Sequence, residues 1–372
     1  MLTSSPNRWL RILLAGYYPF LLALLALLGW LIYLLIRFTM TTPAGWWFSF
    51  WPLAWFGLTA LQLVRVVPIW FAAPGGPAGM ELLLPPAFLE PFYRFIADIV
   101  RERKLPMPHQ VRLSPDTAAY VYQDAAGERI LVLGGLLISS FTQTAVAGVV
   151  AHELGHFAAG DTNITRRAGQ RGQTMDYLEF YCRGRASMYF NPIIWLVRLY
   201  HLAFQLAFLE HSRQQEFAAD QQSLRQVGHE EAAATLLFLQ ALECLPVLRL
   251  VSIAKDFAAR REPLAGIFVE QQRRAAGLDR ADWDDACRKA LKKKTTRWDS
   301  HPALRDRLKA LGVKSKQAAP LLVAKQSGPP ARELFPAWDQ LEKIMSEQWL
   351  NAVRIEQQLK QELAQIIVGR PR

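Results

Sequence analysis

The sequence predicts a mainly α-helical protein with one small β-sheet, an α+β domain preceded by a transmembrane helical hairpin. Three observations predict it: two long uncharged stretches before residue 65, helical spacing of apolar residues over most of the remainder, and short β-prone runs confined to residues 111–132. With 372 residues and 51% hydrophobic content, the chain has room for both membrane segments and a full core.

The first uncharged stretch, Ile12 to Ile36, lies between Arg11 and Arg37 and is dominated by leucine. It exceeds the roughly 20 residues that cross a hydrocarbon layer of about 30 Å. It is longer than a secretory h-region and has no small-residue cleavage site after it, so it is expected to remain in the mature protein. The second stretch, Phe38 to Val64, carries Trp46, Trp47, Trp51 and Trp55 near its start, where aromatic rings favour a membrane interface. The expected hairpin thus fills residues 1–73, with transmembrane helices at about 12–36 and 46–72 and a tight connection at Thr41-Thr42-Pro43-Ala44-Gly45. Arg8, Arg11 and the later basic residues outnumber the lone Arg37 of the connection, which puts the N-terminus and the main domain in the cytoplasm.

Beyond the breaker cluster Ala73 to Gly79, residues from Pro86 to Arg103 have helical spacing and Leu105-Pro-Met-Pro108 ends that helix. Val111 to Leu113, Ala119 to Tyr122 and Arg129 to Val132 read as strands, Gly134-Gly135 breaks the last of them, and Thr142 begins a helix. Residues 188–209 are apolar, but Arg198, His201 and Gln205 line one face, as in an interfacial helix. A polar helix is expected to begin at Ser212 and run to Val227. The domain is expected over 80–312, a Pro-, Ala- and Gly-containing linker over 313–330, and a C-terminal amphipathic helix over 331–372.

The net charge is +11, and the densest basic run is Arg288-Lys289, Lys292-Lys293-Lys294 and Arg297. Beside a membrane hairpin this reads as attraction to anionic head groups or a solvated helix face, and nucleic acid is not expected as a partner. Cys182, Cys244 and Cys287 form no C-x-x-C and are odd in number, which indicates neither a disulfide framework nor a cysteine metal site.

The chemistry centres on His152-Glu153-Leu154-Gly155-His156. On a helix, residues i and i+4 share a face, so His152 and His156 can grip one metal ion while Glu153 points toward its water. Alone the pattern is short enough for chance. A catalytic zinc needs a third protein ligand, and Glu216, in Ser212-Arg-Gln-Gln-Glu-Phe-Ala-Ala-Asp220, can complete the set. Asp220, one turn on, can accept the free ring N–H of a ligand histidine. Glu153 is then the general base, and His301 and Arg307 are the candidate oxyanion donors. With the site complete, His201 and His211 are not expected to be ligands. If 188–209 crossed the bilayer once, Glu216 would stand on the opposite side from His152 and His156, so a non-crossing helix is expected.

In combination these residues resemble the membrane-bound zinc metalloproteases of the HtpX-type and CAAX prenyl protease family. Over roughly residues 80 to 310 the chain has H-E-x-x-H, an aspartate five residues on (Asp161), the S-R-x-x-E-x-x-A-D helix, and His301-Pro302 followed by Arg307. It has Asp299-Ser300-His301-Pro302 where the family more often has Ser-Thr-His-Pro, and Ala118-Ala119 where the family has Asn-Ala. The resemblance implies a gluzincin fold, one Zn2+ per chain, an edge strand near Ala118 to Tyr122 that binds substrate, and protein or peptide substrates. It implies an integral protein of a bacterial inner membrane, the catalytic domain facing the cytoplasm. Asp161 is as readily a helix cap as a functional group. Two readings stand at this point: a membrane-anchored zinc endopeptidase acting on membrane-associated or misfolded proteins, and a non-proteolytic membrane adaptor or chaperone that retains a structural metal.

Overall fold

The computed structural model describes residues 8–42, 45–71, 81–83, 86–115, 119–124, 126–158, 161–182, 192–260, 266–314 and 328–368. The chain divides into two compact units. One holds residues 1–75, 161–214 and 297–300, the other 76–160, 215–296 and 301–372.

The first unit begins with α1 (Arg8–Thr41) and α2 (Gly45–Phe71), which return the chain on itself through the bonds Thr42 N–H to Phe38 O and Gly45 N–H to Thr42 O. Among the described residues, α1 is the one helix long and apolar enough to cross a membrane. Its 34 residues measure about 51 Å, so it overreaches a hydrocarbon layer of about 30 Å. Two further helices pack beside it: α6 (Asp161–Cys182) and the first part of α7 (Pro192–Val227). Leu10 is buried with Ala168, Phe204 and Ala207, whereas Tyr17, Leu21 and Leu24 are buried with Met175 and Val197. Along α1 the contacts thus rise in number on α6 and fall on α7, so α6 runs parallel to α1 and α7 runs back. Pro19 interrupts the α1 ladder. Its missing N–H leaves the Ala15 carbonyl without a helical donor, and nearby the carbonyls of Leu13 and Leu14 accept from Tyr200 Oη and the Arg171 guanidinium.

The second unit is built on a four-stranded mixed sheet: β1 (Leu82–Leu83), β2 (Gln110–Ser114), β3 (Tyr120–Gln123) and β4 (Arg129–Gly134), in the order β1-β2-β4-β3. The central pair, β2 and β4, is parallel, with Leu113 opposite Leu133. β4 is accordingly apolar without alternation, Ile130 to Leu133 all being fully buried. β2 alternates, with Val111 and Leu113 inward and Arg112 outward on Glu81 and the Tyr122 hydroxyl. β3 pairs antiparallel with β4 alone, which makes it an edge.

Against the sheet pack α3 (Pro86–Arg103), α4 (Gly135–Ser140) and α5 (Gln143–Ala158). Then come α8 (His229–Glu243), α9 (Leu250–Arg260), α10 (Ile267–Ala276), α11 (Arg280–Lys292), α12 (Leu304–Ala310) and α13 (Trp338–Val368). Asp279 and Asp282 close a capping box on α11. Gly228, at φ +84, turns the chain between α7 and α8 in a conformation that side chains resist.

Two sequence expectations change. Residues 188–209 and 212–227 were expected as separate helices. From Pro192 onward they form the single 36-residue helix α7, because no glycine or proline follows Pro192 to break it and Glu210-His211-Ser212-Arg213 continues the period. The C-terminal segment joins the core of the second unit: Ala331, Phe335, Trp338, Leu341, Met345 and Trp349 are buried there, and the Phe335 ring stacks on Phe92 at 4.9 Å.

Candidate metal centre

Helix α5 carries the histidines. Thr142 starts it, its Oγ1 accepting from Ala145 N–H at 3.2 Å, and an apolar run from Ala145 to Ala151 buries the helix in the core. His152 and His156 follow on one face, their ring centroids 5.1 Å apart at 82°. The C-terminal half of α7 lies against this helix. A Cβ on Gly155 would meet Gln222 Cγ at 3.1 Å and Ala219 Cα at 3.4 Å, and one on Gly148 would meet Ser223 Oγ at 3.0 Å. Two glycines seven residues apart therefore remove bulk where the two ligand helices approach.

That approach brings Glu216 to the histidines. Its Oε2 is 3.7 Å from His152 Nε2 and its Oε1 is 3.9 Å from His156 Nε2. Ligand atoms of His152, His156 and Glu216 all lie within 4.8 Å of one another, and the two histidine–glutamate separations of 3.7 and 3.9 Å are near the roughly 3.4 Å edge of a tetrahedron with bonds of about 2.0–2.2 Å. The other ring nitrogen of His152, Nδ1, faces Asp220 Oδ1 at 3.2 Å, which leaves Nε2 for a metal. Asp220 is gripped in turn by Arg307, whose Nε and Nη2 donate to Oδ2 at 2.8 Å and Oδ1 at 2.6 Å, while Nη1 faces Glu216 Oε2 at 3.2 Å. His301 Nδ1 is 2.8 Å from Glu216 Oε1.

All seven site residues expected from sequence therefore cluster, including Glu153, whose carboxyl senses His152, Glu216, Arg307 and His301. Burial, reinforced by the Glu216 charge, pushes Glu153 up to about 7. Burial and the neighbouring His152 push His156 down to about 4, so its ring is neutral at pH 7. Burial opposes the ionisation of Glu216 and Asp220. The hydrogen bond from His301 and the charges of His152 and Arg307 outweigh it at Glu216, and the bonds from Arg307 and His152 outweigh it at Asp220, so both are held below the usual carboxylate range.

His201 contacts Gln205 Nε2 at 2.9 Å and Asp176 at 3.7 Å, and His211 is buried beside Arg11. Asp161 is the first residue of α6 and its side chain lies outside those described, as does Ala118. Two supports were missed in the sequence. The Gly148 and Gly155 pair had a signal in its seven-residue spacing. The strap from Pro329 to Ala331 had none: its Pro329 O accepts from Gln143 N–H at 2.9 Å and its Ala331 N–H donates to Phe141 O at 2.9 Å, bracing the start of the histidine helix.

Two imidazoles and a carboxylate converging from two helices, with a second carboxylate behind one imidazole, form the donor set of a zinc enzyme. The family model of Peptidase family M48 matches residues 92–314, more than half of the chain, and the chain belongs to that family of zinc metalloproteases. Among solved structures, that of S. mikatae Ste24p is similar over 80% of this chain and 66% of its own, less than two thirds of that protein's length. At 16% identity and a TM-score of 0.30 the likeness is too slight to carry an argument. No curated protein matches.

Proposed function

We propose that the protein is a membrane-anchored zinc endopeptidase that hydrolyses peptide bonds in membrane-associated or misfolded proteins. The observation that carries this reading is the convergence of His152, His156 and Glu216 within 4.8 Å. A zinc ion held by those three residues supplies Lewis acidity toward a water and a peptide carbonyl. Glu153, next to His152 in the same helix, takes the proton of the attacking water and passes it to the leaving amine. His301, the more exposed of the two cationic candidates, has Nδ1 on Glu216, and its other ring nitrogen, Nε2, is the one that would donate to the developing oxyanion. Arg307 has its donors directed at Asp220 and Glu216. Its role is to hold those carboxylates, and through Asp220 the His152 tautomer. The edge strand β3 offers backbone groups to an extended substrate.

In this reading α1 and α2 both span a bacterial inner membrane and the peptidase unit faces the cytoplasm. Helix α7 exposes Trp195, Leu199 and Leu202; its first part, expected not to cross the bilayer, runs back along α1 instead, and in this reading α6 and α7 enter and leave the membrane together on one side, as a shared metal site requires. The test is Glu153→Gln in the purified full-length protein, with casein as substrate. Zinc content is expected to stay at one per chain while cleavage falls by about 10²–10⁴-fold. Unchanged cleavage would overturn the mechanism, and restoration of a deletion phenotype by this variant would favour the adaptor reading.

A further inference from the structure

The second unit holds a polar cluster that the metal centre does not use, on the face of the sheet turned away from the main core. Val111, Leu113, Leu131 and Leu133 belong to that core and Val121 packs on it, so the alternation of the strands sends Arg112, Tyr120 and Tyr122 to the other face. Glu81, one residue before β1, joins them there. Its side chain is 7% exposed, and it accepts from Tyr120 Oη at 2.9 Å, from Tyr122 Oη at 2.8 Å and from Arg112 Nη1 at 2.9 Å. A carboxylate beside one edge of the sheet therefore fixes two hydroxyls that come from the opposite edge.

The two tyrosines form a pair. They lie two residues apart on β3, both are half-buried, and their rings stack with centroids 6.3 Å apart at 26°. Burial, then the Glu81 carboxylate, pushes the Tyr122 hydroxyl up to about 12, so it stays a donor. With both hydroxyls tied, the rings are held in place before anything binds, which spares the cost of ordering them. Among the described residues β3 has a strand on one side only. An extended segment added on its other side would be held by main-chain hydrogen bonds, with alternate side chains on opposite faces. Those on one face would lie with Val121, toward the core that contains α5. Those on the other would stand directly opposite Tyr120 and Tyr122, with Cβ atoms about 4.5–5.5 Å apart.

We propose that Tyr120 and Tyr122 are specificity-determining residues, which select extended peptide segments carrying aromatic or β-branched side chains at two positions separated by one residue. Pairs of an aromatic ring with an aromatic or β-branched side chain are the favourable ones across neighbouring strands. The proposal rests on the reading of β3 as the partner strand of the substrate, and adds which side chains that substrate carries.

The test uses the zinc-loaded full-length protein in detergent micelles and a randomised peptide library. Cleavage products, and peptides retained by the immobilised protein, are both sequenced by mass spectrometry. The wild type is expected to enrich aromatic and β-branched residues over alanine by about 1.4–5-fold at each of two positions with one residue between them. Tyr120→Ala is expected to abolish the enrichment at one position and Tyr122→Ala at the other, each with zinc content intact. Tyr120→Thr and Tyr122→Thr keep strand propensity; they are expected to do the same, and they replace any alanine variant that loses zinc. A wild type without enrichment overturns the proposal, as do variants that keep both enrichments or that slow every peptide equally. Absence of any cleavage sinks the peptidase reading instead, and the retained pool then decides. Tyrosine-dependent enrichment in that pool supports the proposal, and a pool without it overturns the proposal.

Discussion

Asp220→Asn separates the support of the metal centre from its ligands. Asp220 accepts from Arg307 twice, at 2.8 and 2.6 Å, and faces His152 Nδ1 at 3.2 Å. An asparagine keeps one acceptor oxygen and replaces the other with an NH2 donor. If the NH2 faces His152, Nδ1 becomes an acceptor and the ring proton moves to Nε2, the atom 3.7 Å from Glu216 that a metal needs. If the NH2 faces Arg307, two donors meet inside a buried site. Either orientation weakens the metal centre without removing a ligand. Loss of such a support costs about 10–100-fold in metal affinity, or about 1.4–2.8 kcal/mol. Zinc affinity is measured by competition with a chromophoric chelator on the purified protein in detergent micelles, with Asp220→Glu as a control that retains both acceptors. Wild-type affinity in Asp220→Asn would refute the assignment of Asp220 as the partner of His152.

Other perturbations probe the frame around the site. Gly155→Ala is expected to be tolerated, since the nearest atom is the flexible Gln222 side chain. Gly155→Val overpacks the helix contact at about 1–3 kcal/mol and is expected to lower zinc stoichiometry, read by metal analysis. Full zinc loading in Gly155→Val would mean that the helices need not approach there. Trp338→Ala should cost about 3–5 kcal/mol and lower Tm by roughly 6–20 °C, because Trp338 is buried in the core of the peptidase unit. A melting curve unchanged from wild type would place the C-terminal helix outside that core. Glu270 is held down to about 2, first by its hydrogen bond to Arg273 and then, against some burial, by Arg274. Its folded value lies below the unfolded one of about 4.3, so its stabilisation is present above pH 4.3 and is lost as pH falls toward about 2. The Tm gap between wild type and Glu270→Gln, measured in calorimetric scans from pH 6 to pH 2.5 in the chelated protein, should shrink through that window. A constant gap would remove the ion pair as its cause.

Local periodicity made much of the protein legible. Helix α3, strands β2 and β4, and the start of the histidine helix after Thr142 fall close to where spacing and breakers put them, because each is decided by residues within a few positions of itself. The boundary expected near Ser212 was misplaced because polarity changes there while helical geometry does not: Glu210-His211-Ser212-Arg213 is as compatible with a helix as the apolar residues before it. The strap at Pro329 to Ala331 was invisible because its bonds are made by backbone groups, to which any sequence contributes equally.

The sequence by itself determined the donor set. His152 and His156 share a face because four residues make one turn, and Glu216 and Asp220 do so for the same reason, so the types and order of the site residues needed no tertiary information. Only the tertiary structure decided that these two faces meet. The ligands lie on helices more than fifty residues apart, and the small residues Gly148 and Gly155 leave room for α7 to approach α5. It also decided that Arg307 faces two carboxylates. Such placements depend on which buried surfaces pack together across the whole chain, and a periodicity read over a few residues carries no record of them.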